Sequence, residues 1–312
     1  MKTKMKTHRA LCGLLSGLLL RALFTPLLAI AAMFAAPAAV HAGVMYVSSG
    51  SQTIDKVSSG GAVSLFATVP AGSNPYGLAF DNSGNLYVAD IGTNQISKIT
   101  PGGAVSLFAS VPTPTGLAFD SSGTLYAAEA STGQIVKISG GGAVSFFASV
   151  SSNVHGLAFD GSGNLYAANP SFNDIRKITP GGSVSTFATL PGGTQPVGLA
   201  LDGSGNLYVG DQGTNQISKI TSGGVVSLFA TLPGGSNPNG LAFDGSGNLY
   251  AADSLSNQIS MITSGGAVST FATGISSPRF IAFSAVPEPG TALFGMACAG
   301  VAALRRRRNS AV

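Results

Sequence analysis

The sequence predicts an all-β protein, a six-bladed β-propeller with four antiparallel strands per blade. Three observations predict it: one phrase recurs at a near-constant period, each copy holds four short strand-like runs, and one tyrosine counts six copies. The phrase runs G-L-A-F-D, a Ser-Gly-Asn turn, L-Y-V-A-D, Q-I-S-K-I and G-G-x-V-S-x-F-A. Its anchor glycines are Gly77, Gly116, Gly156, Gly198 and Gly240, spaced by 39, 40, 42 and 42 residues. A fixed period near forty residues means a repeat architecture.

The elements of one copy follow in order. In the second copy they are Leu117–Phe119, Leu125–Ala128, Gln134–Ile138 and Val144–Ala148. Runs of this length, bounded by Gly, Ser, Asn and Asp, read as strands and are too short for helices. The turn between the first two is D-N-S-G-N at Asp81 and D-G-S-G-N at Asp160, Asp202 and Asp244, residues that supply positive φ and side-chain-to-backbone bonds. In G-L-A-F-D, Leu78 and Phe80 share one face while Gly77 and Ala79 share the other. A large face packed on a neighbour's small face suits stacked blades.

The tyrosine of the second strand recurs at Tyr46, Tyr87, Tyr126, Tyr166, Tyr208 and Tyr250. The copy begun by Tyr46 lacks a first strand, and Phe280-Ile281-Ala282-Phe283 is a first strand without a second. Residues 279–284 are therefore expected to complete the blade begun by 44–69. That closure joins the two ends of the ring and protects its edges.

This pattern resembles the NHL-repeat and gluconolactonase-like six-bladed propellers, a group that includes the streptogramin lyases. The resemblance covers about 240 residues and implies the fold. It says little about activity, because this fold serves binding modules, lactonases, lyases and scaffolds alike. The chain has no Trp, so the WD40 dipeptide is absent.

Both ends read as addresses. Residues 1–42 start with Lys2, Lys4, Lys6 and Arg9, continue as an apolar run and end Val40-His41-Ala42. That is the layout of a signal peptide cleaved between Ala42 and Gly43. At the other end, Pro287, Glu288 and Pro289 lead into an apolar stretch, 290–304, and then Arg305, Arg306, Arg307 and Arg308. Segment 286–308 resembles the PEP-CTERM sorting signal, with 309–312 as a tail. A stretch this short falls below the ~20 residues of a stable transmembrane helix, and the arginines hold it on the cytoplasmic side. The resemblance implies processing by an exosortase-type membrane protease. The membrane contact is then transient, and the protein is released to the surface or surroundings of an exopolysaccharide-producing Gram-negative bacterium. The mature domain is 43–285.

The full chain carries a formal charge of +4, but residues 43–285 hold seven basic and eleven acidic side chains, a net charge of −4. This argues against a nucleic-acid partner, which needs a basic surface. The two cysteines, Cys12 and Cys298, lie in the sorting segments, so the domain has no disulfide and no thiol chemistry.

Three recurring positions could carry chemistry. The turn aspartates Asp81, Asp120, Asp160, Asp202 and Asp244 faintly resemble calcium loops. Each offers a single carboxylate, however, where calcium takes six to eight oxygens, so turn capping is expected. The residues ending the second strand are Ser49, Asp90, Glu129, Asn169, Asp211 and Asp253, which are expected to hold the next turn. The third position, just before G-L-A-F, changes in every copy: Tyr76, Thr115, His155, Val197, Asn239 and Arg279. In propellers of this family the first strand lines the channel. The resemblance therefore places these residues around its mouth, where Tyr76, Thr115, His155, Asn239 and Arg279 could bind a small polar or anionic ligand or a polysaccharide.

The lactonase likeness at Asn237–Phe243 carries a metal-ligand role onto Asn239, and the lyase likeness at Val154–Ala158 carries one onto His155. Both imply a divalent cation (Ca²⁺, Mg²⁺ or Zn²⁺). The pattern departs from both families: none of the six mouth residues is acidic, and His155 is the single histidine between 43 and 285. A catalytic metal usually has three protein ligands. The sequence thus favours an exported, non-catalytic binding or structural propeller over a metal-dependent lactonase or lyase. Mass spectrometry of the exported protein is expected to find a chain starting at Gly43 and lacking Arg305–Arg308; an intact tail would refute the sorting reading.

Overall fold

The computed structural model describes residues 43–151 and 153–284. Six four-stranded antiparallel sheets are present. Blade 1 joins β1 (Met45–Ser49), β2 (Thr53–Val57) and β3 (Val63–Thr68) to the last strand, β24 (Pro278–Phe283). Blades 2 to 6 follow in chain order: β4–β7 (75–110), β8–β11 (114–149), β12–β15 (157–189), β16–β19 (196–231) and β20–β23 (238–273). The innermost strands are β4 (Pro75–Phe80), β8 (Pro114–Phe119), β12 (Leu157–Phe159), β16 (Pro196–Leu201), β20 (Pro238–Phe243) and β24. The expected closure is present, with Met45 opposite Phe283, Tyr46 opposite Ala282 and Val47 opposite Ile281. Among the described residues no helix is long and apolar enough to cross a membrane. The signal-peptide and sorting segments lie outside the described residues.

The repeated residues hold the ring in three ways. The first is at the turns. Asp81 accepts from the Ser83 and Asn85 amides at 2.9 and 2.8 Å, from Asn85 Nδ2 and from Tyr87 OH, while Gly84 takes φ +80°. Asp160, Asp202 and Asp244 repeat this set, and Asp120 does so with the Ser122 hydroxyl donating in place of the asparagine amide. Each carboxylate is thus consumed by its own turn, as capping requires.

The second is aromatic. Each second-strand tyrosine meets the outer-strand Phe of its own blade and the Phe that ends the next blade's inner strand. Tyr87, for example, packs edge-on against Phe108 and Phe119 at 4.8 and 5.1 Å. Blade 5 departs, ending its inner strand at Leu201, so Tyr166 has only Phe187. One apolar cluster fills each of the six seams.

The third is the closest approach in the ring. A Cβ added to Gly77 would lie 2.1 Å from the Thr115 carbonyl oxygen, one on Gly116 2.1 Å from that of His155, and one on Gly198 1.9 Å from that of Asn239. The inner strands therefore touch backbone to backbone, and only glycine permits it. Blade 1 has Phe280 at this position. There Ser48 Oγ accepts from the Phe280 amide at 3.0 Å and donates to the Tyr76 carbonyl at 2.6 Å, bridging the wider gap to blade 2.

Gly116→Ala and Gly198→Ala are each expected to cost about 3 kcal/mol or to prevent folding, because the strain falls on rigid backbone. Gly203→Ala, which meets nothing within 4 Å, is expected to stay within about 0.5 kcal/mol of the parent. Chemical denaturation of the three variants checks both.

Candidate functional site

The six variable residues sit where the inner strands begin, but they do not form an open ring of side chains. Tyr76, from blade 2, reaches across the channel, and its hydroxyl lies 3.1 Å from Nδ1 of His155 on blade 4. Phe280 packs on the Tyr76 ring at 4.9 Å, and Val197, from the opposite blade 5, belongs to the same apolar cluster. Tyr76, Phe280 and Val197 therefore close the channel at this level. Arg279 lies over the Tyr76 ring, its guanidinium carbon 5.5 Å from the centroid, and is half-buried with no carboxylate partner among the described residues.

Thr115 and Asn239 point elsewhere. Thr115 is buried and donates to the Val154 and Ala128 carbonyls at 2.8 and 3.2 Å, tying blade 3 to blade 4. Asn239 is buried too, its Oδ1 accepting from Gln212 Nε2 at 2.8 Å. The structure thus brings Tyr76, His155 and Arg279 together and sets Thr115 and Asn239 in the walls.

His155 occurs where the repeat is broken. At four junctions an Asn in the loop between the second and third strands adopts the left-handed conformation. Its Oδ1 accepts the amide just before the next inner strand: Asn94 from Thr113, Asn173 from Gln195, Asn215 from Asn237 and Asn257 from Ser277, at 2.7 to 3.0 Å. Entering blade 4, the loop residue is Gly133 and the proline that opens the other five inner strands is replaced by Val154. Without that latch the inner strand β12 is only three residues long. Asn153 instead turns its Oδ1 to His155 Nε2 at 2.9 Å and its Nδ2 to Ser171 at 3.1 Å. The signal was in the sequence, as Gly133 and the missing proline. Gln212 and Asn153, the partners of Asn239 and His155, were not.

The imidazole is fully engaged. Tyr76 OH donates to Nδ1 and Nε2–H donates to Asn153, which is a neutral tautomer. Burial pushes its pKa down to about 4, and burial raises that of Tyr76 to about 12 against the opposing pull of Arg279. This arrangement does not fit a divalent cation. His155 and Asn239 stand on blades 4 and 6, the donor atoms of both are already in hydrogen bonds, and no carboxylate joins them. No cluster of three metal-ligating side chains occurs among the described residues.

Of the strand-end residues, Ser49 and Glu129 bond to the next turn as expected, through Ser51 and Thr132, but Asp90, Asp211 and Asp253 do not. They are fully buried, and Oδ2 of each accepts from a serine of the third strand: Ser97, Ser218 and Ser260. The other oxygen, Oδ1, has no partner. Burial raises their pKa values, to about 6 for Asp90 and about 7 for Asp211, with the serine bonds pulling the other way. In blades 3 and 4, Glu129 accepts from Thr132 and Asn169 donates to Ser151.

Residues 109–294 match the family model of the virginiamycin B lyase family, and residues 285–308 match the PEP-CTERM protein-sorting motif. The motif implies export to the cell surface. No curated protein matches the chain. Among solved structures, virginiamycin B lyase from Staphylococcus aureus is 20% identical, covering 78% of this chain and 89% of its own, with a TM-score of 0.61. A catalytically inactive His-to-Ala variant of that enzyme, solved with quinupristin, is similar at 18% identity, 79% and 94% coverage and a TM-score of 0.61. A chain of a nidogen/laminin complex gives 21%, 77%, 97% and 0.68. At such identities the likeness to these structures is one of fold.

The buried aspartates make stability fall with rising pH. Their folded pKa values lie above the unfolded one, so the fold favours the protonated form, and its stabilisation is lost as pH rises through about 6 to 7. His155, buried and neutral with its pKa pushed down to about 4, acts in the opposite direction as pH rises towards 6.5, so the net drop in melting temperature between pH 5 and pH 8 is expected to be roughly 3–10 °C. Differential scanning calorimetry should find this slope reduced in Asp211→Asn.

Proposed function

The chain belongs to the virginiamycin B lyase family, and from that premise we propose that it is an exported propeller that binds anionic sugars rather than cleaving them. One observation carries this reading. Arg279 is a half-buried guanidinium with no carboxylate partner among the described residues, stacked on Tyr76 at the closed head of the channel. A cation held in a partly desolvated recess favours a carboxylate or phosphate, which the planar fork of arginine can bind in bidentate fashion. His155, neutral and bonded on both nitrogens, positions Tyr76 beneath it.

Two further points support a binding role. A histidine is required in the S. aureus enzyme, whose His-to-Ala variant is inactive, yet the one described histidine here is spent on the channel wall. The fold also serves in assemblies such as the nidogen/laminin complex, although that argument is one of analogy. On this reading a signal peptide, 1–42, starts export, and an exosortase-type protease removes the segment after Pro287-Glu288-Pro289. Uronate residues of an exopolysaccharide then supply the ligand.

Calorimetric titration of the exported protein with glucuronate is expected to give a dissociation constant of about 1 mM or tighter, near −4 kcal/mol. Glucose should bind more weakly, Arg279→Gln should lose the preference, and Mg²⁺, Ca²⁺ and Zn²⁺ should change neither affinity nor melting temperature. Turnover of quinupristin or of gluconolactone, or a stoichiometric metal in the purified protein, would contradict the proposal.

A further inference from the structure

The two ends of the described chain leave the ring side by side. Met45 and Phe283 are direct partners at the ends of β1 and β24, and the Ser284 amide donates to the Val44 carbonyl at 3.0 Å. Phe283 occupies the place that Phe80 holds in blade 2, immediately before the Asp81 turn. Both ends therefore emerge on the face of the aspartate turns, and Tyr76, His155 and Arg279 open on the opposite face. Because β24 is the innermost strand of its blade, the chain leaves near the channel axis rather than at the rim.

The sorting motif begins at residue 285 and its apolar stretch at Gly290. Six peptide units thus separate Ser284 from the apolar stretch, about 20 Å at full extension. To turn the ring over, the chain would have to pass outward across three strand spacings, about 14 Å, and then up the height of a strand, about 20 Å. The connection is too short for that path. The turn face also suits a headgroup layer. Lys98, Lys137, Lys177 and Lys219 extend over Tyr87, Tyr126, Tyr166 and Tyr208 with Nζ 5.2 to 5.6 Å from the ring centroids. The turn aspartates beside them stay ionised, so the face offers ammonium and carboxylate groups together, which a zwitterionic headgroup layer can match.

We propose that, as long as the sorting segment remains in the membrane, the protein sits on phospholipid headgroups through its turn face and presents the Tyr76–His155–Arg279 face outward. This orientation holds whether or not the outward face binds sugars.

Single cysteines test it, because the domain has none of its own. The full chain carrying Cys12→Ala and Cys298→Ala is expressed in a host that lacks the sorting protease. Either Ser83→Cys on the turn face or Leu255→Cys on the opposite face is then added. The readout is labelling by a polyethylene-glycol maleimide relative to a small maleimide. The ratio is expected to be several-fold lower for Ser83→Cys, and a Gly-Ser linker of about 20 residues after Ala285, with a reach of about 25 Å, should narrow the gap. Equal ratios without the linker, or stronger protection at Leu255→Cys, would overturn the proposal. Ser162→Cys and Phe172→Cys on blade 4 provide a second pair, for which the same two results support or overturn it, should either first variant fail to fold.

Discussion

Backbone contact between neighbouring inner strands is the constraint on which the rest depends. At Gly77, Gly116, Gly156, Gly198 and Gly240 the next blade's backbone occupies the space a side chain would need. This draws the inner strands together and leaves a channel so narrow that one tyrosine spans it. Tyr76 can bond His155 two blades away for that reason. The exception is equally informative: where the closing blade has Phe280, the gap widens, Ser48 bridges it, and the phenyl ring joins the plug.

Most of the architecture was legible because it is written in repeated residues. The turn aspartates and the split blade follow from turn chemistry and strand periodicity, and the structure agrees with both; the Tyr–Phe pairs across the seams emerge only in the structure. The site was legible only as a position. The residue before G-L-A-F varies, but sequence does not say which variants turn inward. Tyr76 and Arg279 reach the channel head, while Thr115 and Asn239 find partners in the wall. Those outcomes depend on contacts between different blades, made by residues 27 to 79 apart in the hydrogen bonds concerned. The strand-end aspartates were misjudged for a related reason: their partners are serines across the sheet, not the amides of the adjacent turn.

Family membership and local chemistry pull apart at the mouth. A lyase needs groups that can take up or release a proton or hold a metal. Here the imidazole is neutral, buried and bonded on both sides, and the charge stacked on its tyrosine partner is a cation. A shared ring does not carry the chemistry with it, because function resides in a few residues grafted on a fold. The aspartate turns and the lysines beside them share the face from which both chain ends depart, and the Tyr76–His155–Arg279 face lies opposite.

The central claim is that His155 is a fixed, neutral wall residue. Nitrogen-15 NMR of its imidazole, assigned by comparison with His155→Ala, tests this most directly. The account predicts the neutral Nε2–H tautomer throughout pH 5.5 to 8, with burial holding the pKa to about 4, and no change on adding Mg²⁺ or Zn²⁺. A ring that titrates between pH 6 and 7, or whose nitrogen signals shift on metal addition, would contradict it.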